Sequence, residues 1–466
     1  MFVGRKKEIN ELKKRYKSSI FQFVVIYGRR RIGKSFLIKH FIQKTQSVYF
    51  VATEQNEKDL LKAFSLSIKE QINNQKEFVG DFTDWEQAFN YLANVASKKR
   101  LILVIDEFPY LAKSYPAISS VLQKFIDEKF VNTKLFLILC GSSMSFMEKQ
   151  VLGYESPLYG RRTAQIKLKQ MPYYEAINFF PKWKKEEKLF AYSVCGGVPQ
   201  YLSLFSKYKN FKDGIMNELL NVDAHLYEEP ESLLKQELRE PSLYNSILSA
   251  LARGRNKLNE LADATGKSSN LLVNYLKNLI SLEIVEKKLP VEENDVKKTI
   301  YTIKDNLYVF WYAFIHCYNS LLQVRAPEEV FEKLIKPYFS EYFGKVFEEI
   351  CIQYLMKKME TGNISELYEH YGHWWGTNPQ KRQSEEIDIV MTNKSNILLG
   401  ECKWQNKPIG LETFFRLEER GNIIRNNRDV CYYLFSKSGF EQSLIDYSRN
   451  KKINLIGIDD LVSISE

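Results

Sequence analysis

Gly28, four further residues, and then Gly33, Lys34 and Ser35 form a spacing suited to holding a phosphate chain. The glycines let the backbone curl so that successive N–H groups face a phosphate, and a helix starting at the lysine adds its positive end. Lys34 then reaches the outer phosphates, and Ser35 supplies a hydroxyl ligand to Mg²⁺. The residues between, Arg29, Arg30, Arg31 and Ile32, line the loop, and Phe36 follows it. Asp106 and Glu107 end the run "LILVIDEF". Such a pair suits a second ligand for the cation, Asp106, and a base that orients water, Glu107. A third group lies near the carboxy terminus: Asp388 in "SEEIDIVMTN", then Glu401 and Lys403 in "NILLGECKWQN". Two close carboxylates suit a hard cation such as Mg²⁺ or Mn²⁺, and a nearby ammonium can offset charge growing on a phosphate.

These residues need elements to position them. The apolar run Phe23 to Tyr27 reads as a buried strand ahead of the glycine loop, and "SFLIKHFIQKT" reads as the helix after it. "LILVI" reads as a second buried parallel strand, with its acids at the carboxyl end, where open α/β sheets bind ligands. A third strand in "KLFLILCGSSMSFM" ends at Gly141, Ser142 and Ser143. Ser142 there either senses the γ-phosphate and positions water, or simply caps the next helix. Near the carboxy terminus, the turn "TNKSN" joins two strand-like runs as a hairpin, which brings Asp388 towards Glu401. Alternation puts Glu401 and Lys403 on one face.

The first half resembles the archaeal-type ATPases of the AAA+/STAND group. "FVGRKKEINEL" looks like that group's hhGRxxE box, with Gly4, Arg5 and Glu8 matching. The resemblance implies that Arg5 lies near ATP and that Arg161, or Arg162, in "SPLYGRRTAQIKLK" is the arginine following the sensor strand. It also implies that Gly197 and Pro199 in "VCGGVPQYL" form the GxP motif of a helical lid. An arginine acting in trans would require a homo-oligomer.

Residues 241–303 read as three amphipathic helices followed by two strands, the order of a winged helix. The third helix, "SSNLLVNYLKNLISL", offers Lys277 with Asn270, Asn274 and Asn278 to DNA, and Lys267 precedes it. Acidic and basic side chains nearly balance across the segment, so docking to a protein partner is an equal alternative. The aromatics of "YTIKDNLYVFWYAFIHCY" read as core at a domain junction.

The carboxy-terminal constellation resembles the PD-(D/E)xK nuclease superfamily. That resemblance implies Asp388 as the first acid and Glu401 and Lys403 as the ExK pair. Glu348, with Glu349 as alternate, would complete the metal site from the first helix in "YFGKVFEEICIQYL". Ile387 stands where the motif's proline would be, and Glu385 and Glu386 compete for the metal role. His370 and His373 in "YEHYGHWWG" read as a packed or surface loop rather than as ligands.

With 466 residues, 44% hydrophobic and 27% charged, the chain suits several folded domains and not a disordered one. Net charge of +10 weakly favours a polyanionic partner. Six scattered cysteines give neither a disulfide framework nor a zinc ribbon, and no apolar run is long enough to span a bilayer. The expectation is a cytoplasmic α/β protein with five parts. These are a P-loop NTPase (AAA+-like) parallel sheet at 1–170, a helical lid at 171–235 and a winged helix at 236–305. An aromatic-rich helical connector at 306–334 and a restriction-endonuclease-like domain at 335–466 complete it. The expected activity is ATP hydrolysis with Mg²⁺, coupled to DNA engagement or to Mg²⁺/Mn²⁺-dependent cleavage. The alternative is a STAND-type switch that binds partners without cutting.

Overall fold

The computed structural model describes residues 2–72, 81–324 and 326–464. The chain forms two compact units, one of residues 1–171 with 198–200 and the other of 172–197 with 201–466.

The first unit is built on a five-stranded parallel sheet. Its strands are β1 (Gln22–Tyr27), β2 (Ser47–Val51), β3 (Leu101–Asp106), β4 (Leu135–Gly141) and β5 (Ala164–Lys167), in the order β2-β3-β4-β1-β5. β1, β3 and β4 are buried along their whole length, as Val/Ile/Leu-rich strands covered on both faces must be. Phe64, Trp85, Phe89 and Phe125 fill one face, and Leu37, Ile38 and Phe41 help fill the other. The strands are parallel, so β1, β3 and β4 deliver the glycine loop, the acid pair and Ser142 to one edge of the sheet.

The second unit contains the helices Pro241–Ala252, Leu258–Thr265 and Ser269–Ser281, followed by an antiparallel ribbon of β6 (Val285–Lys288) and β7 (Ile300–Ile303). After further helices comes the long helix Phe339–Glu360 and a mixed five-stranded sheet. Its strands are β8 (His370–Asn378), β9 (Gln383–Thr392), β10 (Asn396–Lys403), β11 (Asp429–Ser436) and β12 (Ile453–Gly457), in the order β12-β11-β10-β9-β8. β8, β9 and β10 run antiparallel in turn, whereas β10, β11 and β12 are parallel. Ile387, Leu399, Phe414 and Leu434 pack one face of this sheet against the helix Leu411–Gly421. No helix among the described residues is long and apolar enough to cross a membrane.

Candidate functional sites: the phosphate loop and the β9–β10 acids

The loop after β1 is shaped by backbone that only glycine adopts cheaply. Gly28 has φ +156°, and a Cβ there would lie 2.4 Å from the carbonyl oxygen of Leu168. Gly33 has φ +88° and opens the helix Lys34–Ile42. A Cβ built on Gly33 would sit 3.5 Å from the ring of Pro199, so the expected lid proline closes against the loop. Lys34 is buried, and its ammonium donates to the carbonyls of Gly28 and Arg29, both at 2.9 Å. Burial lowers its pKa, and Cys140, Glu107 and Asp106 pull it back up.

Asp106, 1% exposed, gathers neutral donors. The Ser35 hydroxyl donates to its Oδ2 at 2.7 Å, and the Tyr49 hydroxyl donates to the same oxygen at 2.5 Å. The backbone N–H of Glu107 donates to Oδ1 at 2.9 Å. Glu107 adopts the left-handed conformation, φ +51°, which a non-glycine residue enters at a cost of about 1 kcal/mol or more. Its carboxylate accepts the Ser142 hydroxyl at 2.9 Å and the Ser142 N–H at 3.2 Å. Of the two expectations for Ser142, the helix cap gives way: Ser143 precedes the helix Met144–Phe146, and Ser142 spends its hydroxyl on Glu107. Arg5 is buried with φ +59° and donates to the carbonyls of Ile32 at 3.2 Å and Lys169 at 2.7 Å, so it braces the loop from behind. Phe36 is half exposed and stacks on Phe2, centroids 5.7 Å apart.

Arg161 departs from expectation as a residue serving its own nucleotide. Its guanidinium forms a two-point pair with Asp127 at 2.7 and 2.8 Å. Thr163 bonds to Phe23, at the start of β1. Arg161 therefore lies at the amino-terminal edge of the sheet, roughly 20 Å along the strands from the loop at the other end. The runner-up Arg162 lies at the same edge, over the ring of Tyr159.

The residues of the loop fit a nucleotide triphosphate with a divalent cation. Gly33 leaves the helix N-terminus open to a phosphate, Lys34 crosses the loop, and Ser35 and Asp106 place two hard oxygens side by side. The nucleotide supplies a γ-phosphate for transfer to water. Lys34 and the loop N–H groups would hold the phosphates, and Glu107, steadied by Ser142, would orient an incoming water.

The second cluster lies in the carboxy-terminal sheet. Gly400 pairs with Ile389, which puts Asp388 opposite Glu401. Asp388 Oδ2 accepts the Cys402 N–H at 2.8 Å. Glu401 is 3% exposed and is met by the Lys403 ammonium at 2.6 Å and by Arg420 at 3.3 Å. Arg420 also pairs with Glu385 at 3.3 Å. Burial and then the Glu401 charge push Asp388 up to about 6. Burial and then Asp388 push Glu348, on the long helix, up to about 7. His373 lies 3.5 Å from Glu348 and 3.2 Å from Glu349. Burial alone would raise Glu349, but His373 and Lys288 hold it down at about 2.

The expected carboxylates are thus brought together, with a correction. Among the described residues no group of three or more His, Cys, Asp and Glu is disposed to hold a metal ion. Lys403 and Arg420 bond to the oxygens of Glu401, and Asp388 accepts a backbone N–H. His373, expected as a packed or surface loop, instead bridges two glutamates. Lys288, Arg420 and Tyr49 were not expected at either site. Lys288 reaches Glu349 at 2.6 Å from the β6–β7 ribbon. The turn of that ribbon is also fastened to the sheet. Val291 N–H donates to the His373 carbonyl at 3.0 Å, and Glu292 pairs with Arg428 at 2.8 Å.

On helix Ser269–Ser281, Asn270, Asn274 and Lys277 are exposed, but Asn278 donates to the Tyr244 hydroxyl at 2.7 Å.

Known proteins resemble both halves. Residues 2–205 match the family described as an ATPase domain predominantly from Archaea. Residues 311–418 match a family described as "Archaea bacterial proteins of unknown function". An uncharacterised protein of Methanocaldococcus jannaschii is 35% identical over 411 residues, spanning 87% of this chain and 88% of its own. A Walker-type ATPase of Pyrococcus abyssi superposes with a TM-score of 0.51 at 20% identity, covering 67% of this chain and 96% of that one. The last likeness is one of fold.

Proposed function

Because the chain belongs to this family of predominantly archaeal ATPases with a characteristic carboxy-terminal domain, we propose that it couples ATP hydrolysis to an action on DNA. Nucleotide state sets how the second unit engages DNA, and the β9–β10 acids take a Mg²⁺ or Mn²⁺ ion to cleave it. The observation that carries the reading is the opposition of Asp388 and Glu401 across two strands with Lys403 beside them. An αβββαβ order from the helix Phe339–Glu360 onward supports a PD-(D/E)xK-like domain. Three helices and a ribbon over 241–303 support a winged helix, with Asn270, Asn274 and Lys277 facing the nucleic acid.

Metal entry requires Glu401 to leave Lys403 or Arg420, and Glu348 and Asp388 to give up protons. Cleavage therefore rises with pH through the range of about 6 to 7 set by those two acids. The test is incubation of supercoiled, linear, single-stranded and branched DNA, and RNA, with Mg²⁺ or Mn²⁺, with and without ATP. Cleavage that is lost in Lys403→Ala supports the reading. No cleavage of any substrate by a protein that hydrolyses ATP rejects the nuclease part.

One observation favours a second reading, a STAND-type switch. The ribbon that would serve as the wing is already fastened to the long helix through Lys288 and to the carboxy-terminal sheet through Val291 and Glu292. A ribbon so held suits an ordered signalling assembly with a protein partner or further copies of the chain. Slow turnover with tightly retained nucleotide is the signature of that reading.

A further inference from the structure

Three features around Asp106 are explained by the phosphate loop itself: Ser35, the N–H of Glu107 and the acid's own burial. Tyr49 is not. It comes from β2, 57 residues ahead of Asp106 in the chain, and its hydroxyl ends on the same Oδ2 that receives Ser35. The residue is held at three other points, one on its ring and two on its backbone. The Lys39 ammonium, from the helix after the loop, lies 5.2 Å from the centre of its ring. Its own N–H donates to the Gln71 side chain at 2.9 Å, and the Gln71 amide returns a bond to its carbonyl at 3.1 Å.

A buried carboxylate has several rotamers and no reason to choose the one that presents it to a cation. Two hydroxyls converging on one oxygen from different elements remove that choice. Ser35 cannot do this alone, because its own orientation depends on Asp106. Tyr49 is anchored independently and breaks the circularity.

We propose that Tyr49 is a positioning residue for divalent-cation binding, holding Asp106 and through it Ser35 in the geometry that receives Mg²⁺ with the nucleotide. The inference rests on the loop being a Mg²⁺-nucleotide site. Phosphate affinity without metal depends on Lys34 and the loop N–H groups, which Tyr49 does not touch. Tyr49 therefore sets the metal requirement and leaves metal-free nucleotide binding alone.

The test is a titration of a fluorescent ATP analogue, first in EDTA and then at rising Mg²⁺, in wild type, Tyr49→Phe and Lys39→Met. Tyr49→Phe keeps the ring and removes only the donor. Its affinity in EDTA should equal wild type, while the Mg²⁺ needed for half-maximal strengthening rises roughly tenfold, as expected for losing a hydrogen bond to a charged acceptor. Lys39→Met, which removes the contact on the ring, should equal wild type in EDTA and need somewhat more Mg²⁺, by less than Tyr49→Phe. If Tyr49→Phe melts early in EDTA, the same titration is made at a lower temperature where it is folded, and the raised Mg²⁺ requirement should persist there. An unchanged Mg²⁺ requirement in Tyr49→Phe, or an equal loss of affinity with and without Mg²⁺, overturns the inference and leaves the nucleotide site standing. A wild type that binds no nucleotide overturns both.

Discussion

At the phosphate loop the acids Asp106 and Glu107 meet neutral donors; on β9 and β10 the acids Asp388 and Glu401, with Glu348 beside them, are balanced by cations or by protons. Asp106 takes hydroxyls and an N–H, and Glu107 takes Ser142. Glu401 takes Lys403 and Arg420, Glu349 takes Lys288 and His373, and Glu348 and Asp388 sit well above the usual carboxylate range. Neutral donors orient a carboxylate without cancelling its charge, so the first site keeps its attraction for a cation. At the second, Lys403 and Arg420 already offset the Glu401 charge, and a metal must compete with them. Two carboxylate clusters in one chain therefore differ in readiness, though both set acids on a sheet near a lysine.

The contrast breaks most sharply at Lys34. Lys34→Ala should weaken ATP binding by more than about 100-fold, read by nucleotide titration, because a charge-assisted set of phosphate contacts is lost. Unchanged affinity removes the phosphate-loop assignment. Glu107→Gln should bind ATP normally and turn over about 100-fold more slowly, the usual worth of a positioned base. Full turnover would move the base elsewhere.

Smaller effects sharpen the second half of the comparison. Lys403→Ala leaves the buried Glu401 with Arg420 alone, so the second unit should lose about 1–3 kcal/mol of stability in a denaturant melt, while ATP hydrolysis stays intact. A collapse of hydrolysis would show the two sites to be inseparable. The mildest effect is a pH dependence. Glu348 has a folded pKa near 7, above its ordinary 4.5, so between those values the folded state holds a proton that the unfolded state has released. Stability from this group therefore falls as pH rises from about 4.5 to 7. Glu348→Gln removes that slope, and the variant should gain on wild type between pH 5 and 8 in melting experiments. A parallel pH profile would contradict the raised pKa.

Legibility in the sequence followed the range of the interactions. The glycine loop, the "DEF" strand end and the β9–β10 hairpin are local strings, and their periodicity alone brings Lys34, Asp106, Asp388, Glu401 and Lys403 into position. Tyr49, Arg420 and Lys288 arrive from other elements. Nothing in "SVYFV" or "KKLP" marks them, because the partner that gives each its role lies tens of residues away: Lys288 and Glu349 are 61 apart. His373 was visible as a histidine, but its role depends on which turn of the long helix faces β8. The place of Arg161 was not legible for a related reason. Its motif context is local, whereas the end of the sheet it occupies is set by the register of β5 on β1.

Nucleotide state, on the proposed function, governs engagement of DNA. The most direct measurement is the affinity of the intact protein for a fluorescent duplex and a single strand. It would be taken with a non-hydrolysable ATP analogue and with ADP, each with Mg²⁺, from about 50 to 200 mM salt. The account predicts affinities that differ at least about tenfold between the two nucleotides and fall steeply with salt as phosphate contacts are screened. Equal affinity in both states, or binding indifferent to salt, would contradict it and leave the protein an ATPase whose partner is not a nucleic acid.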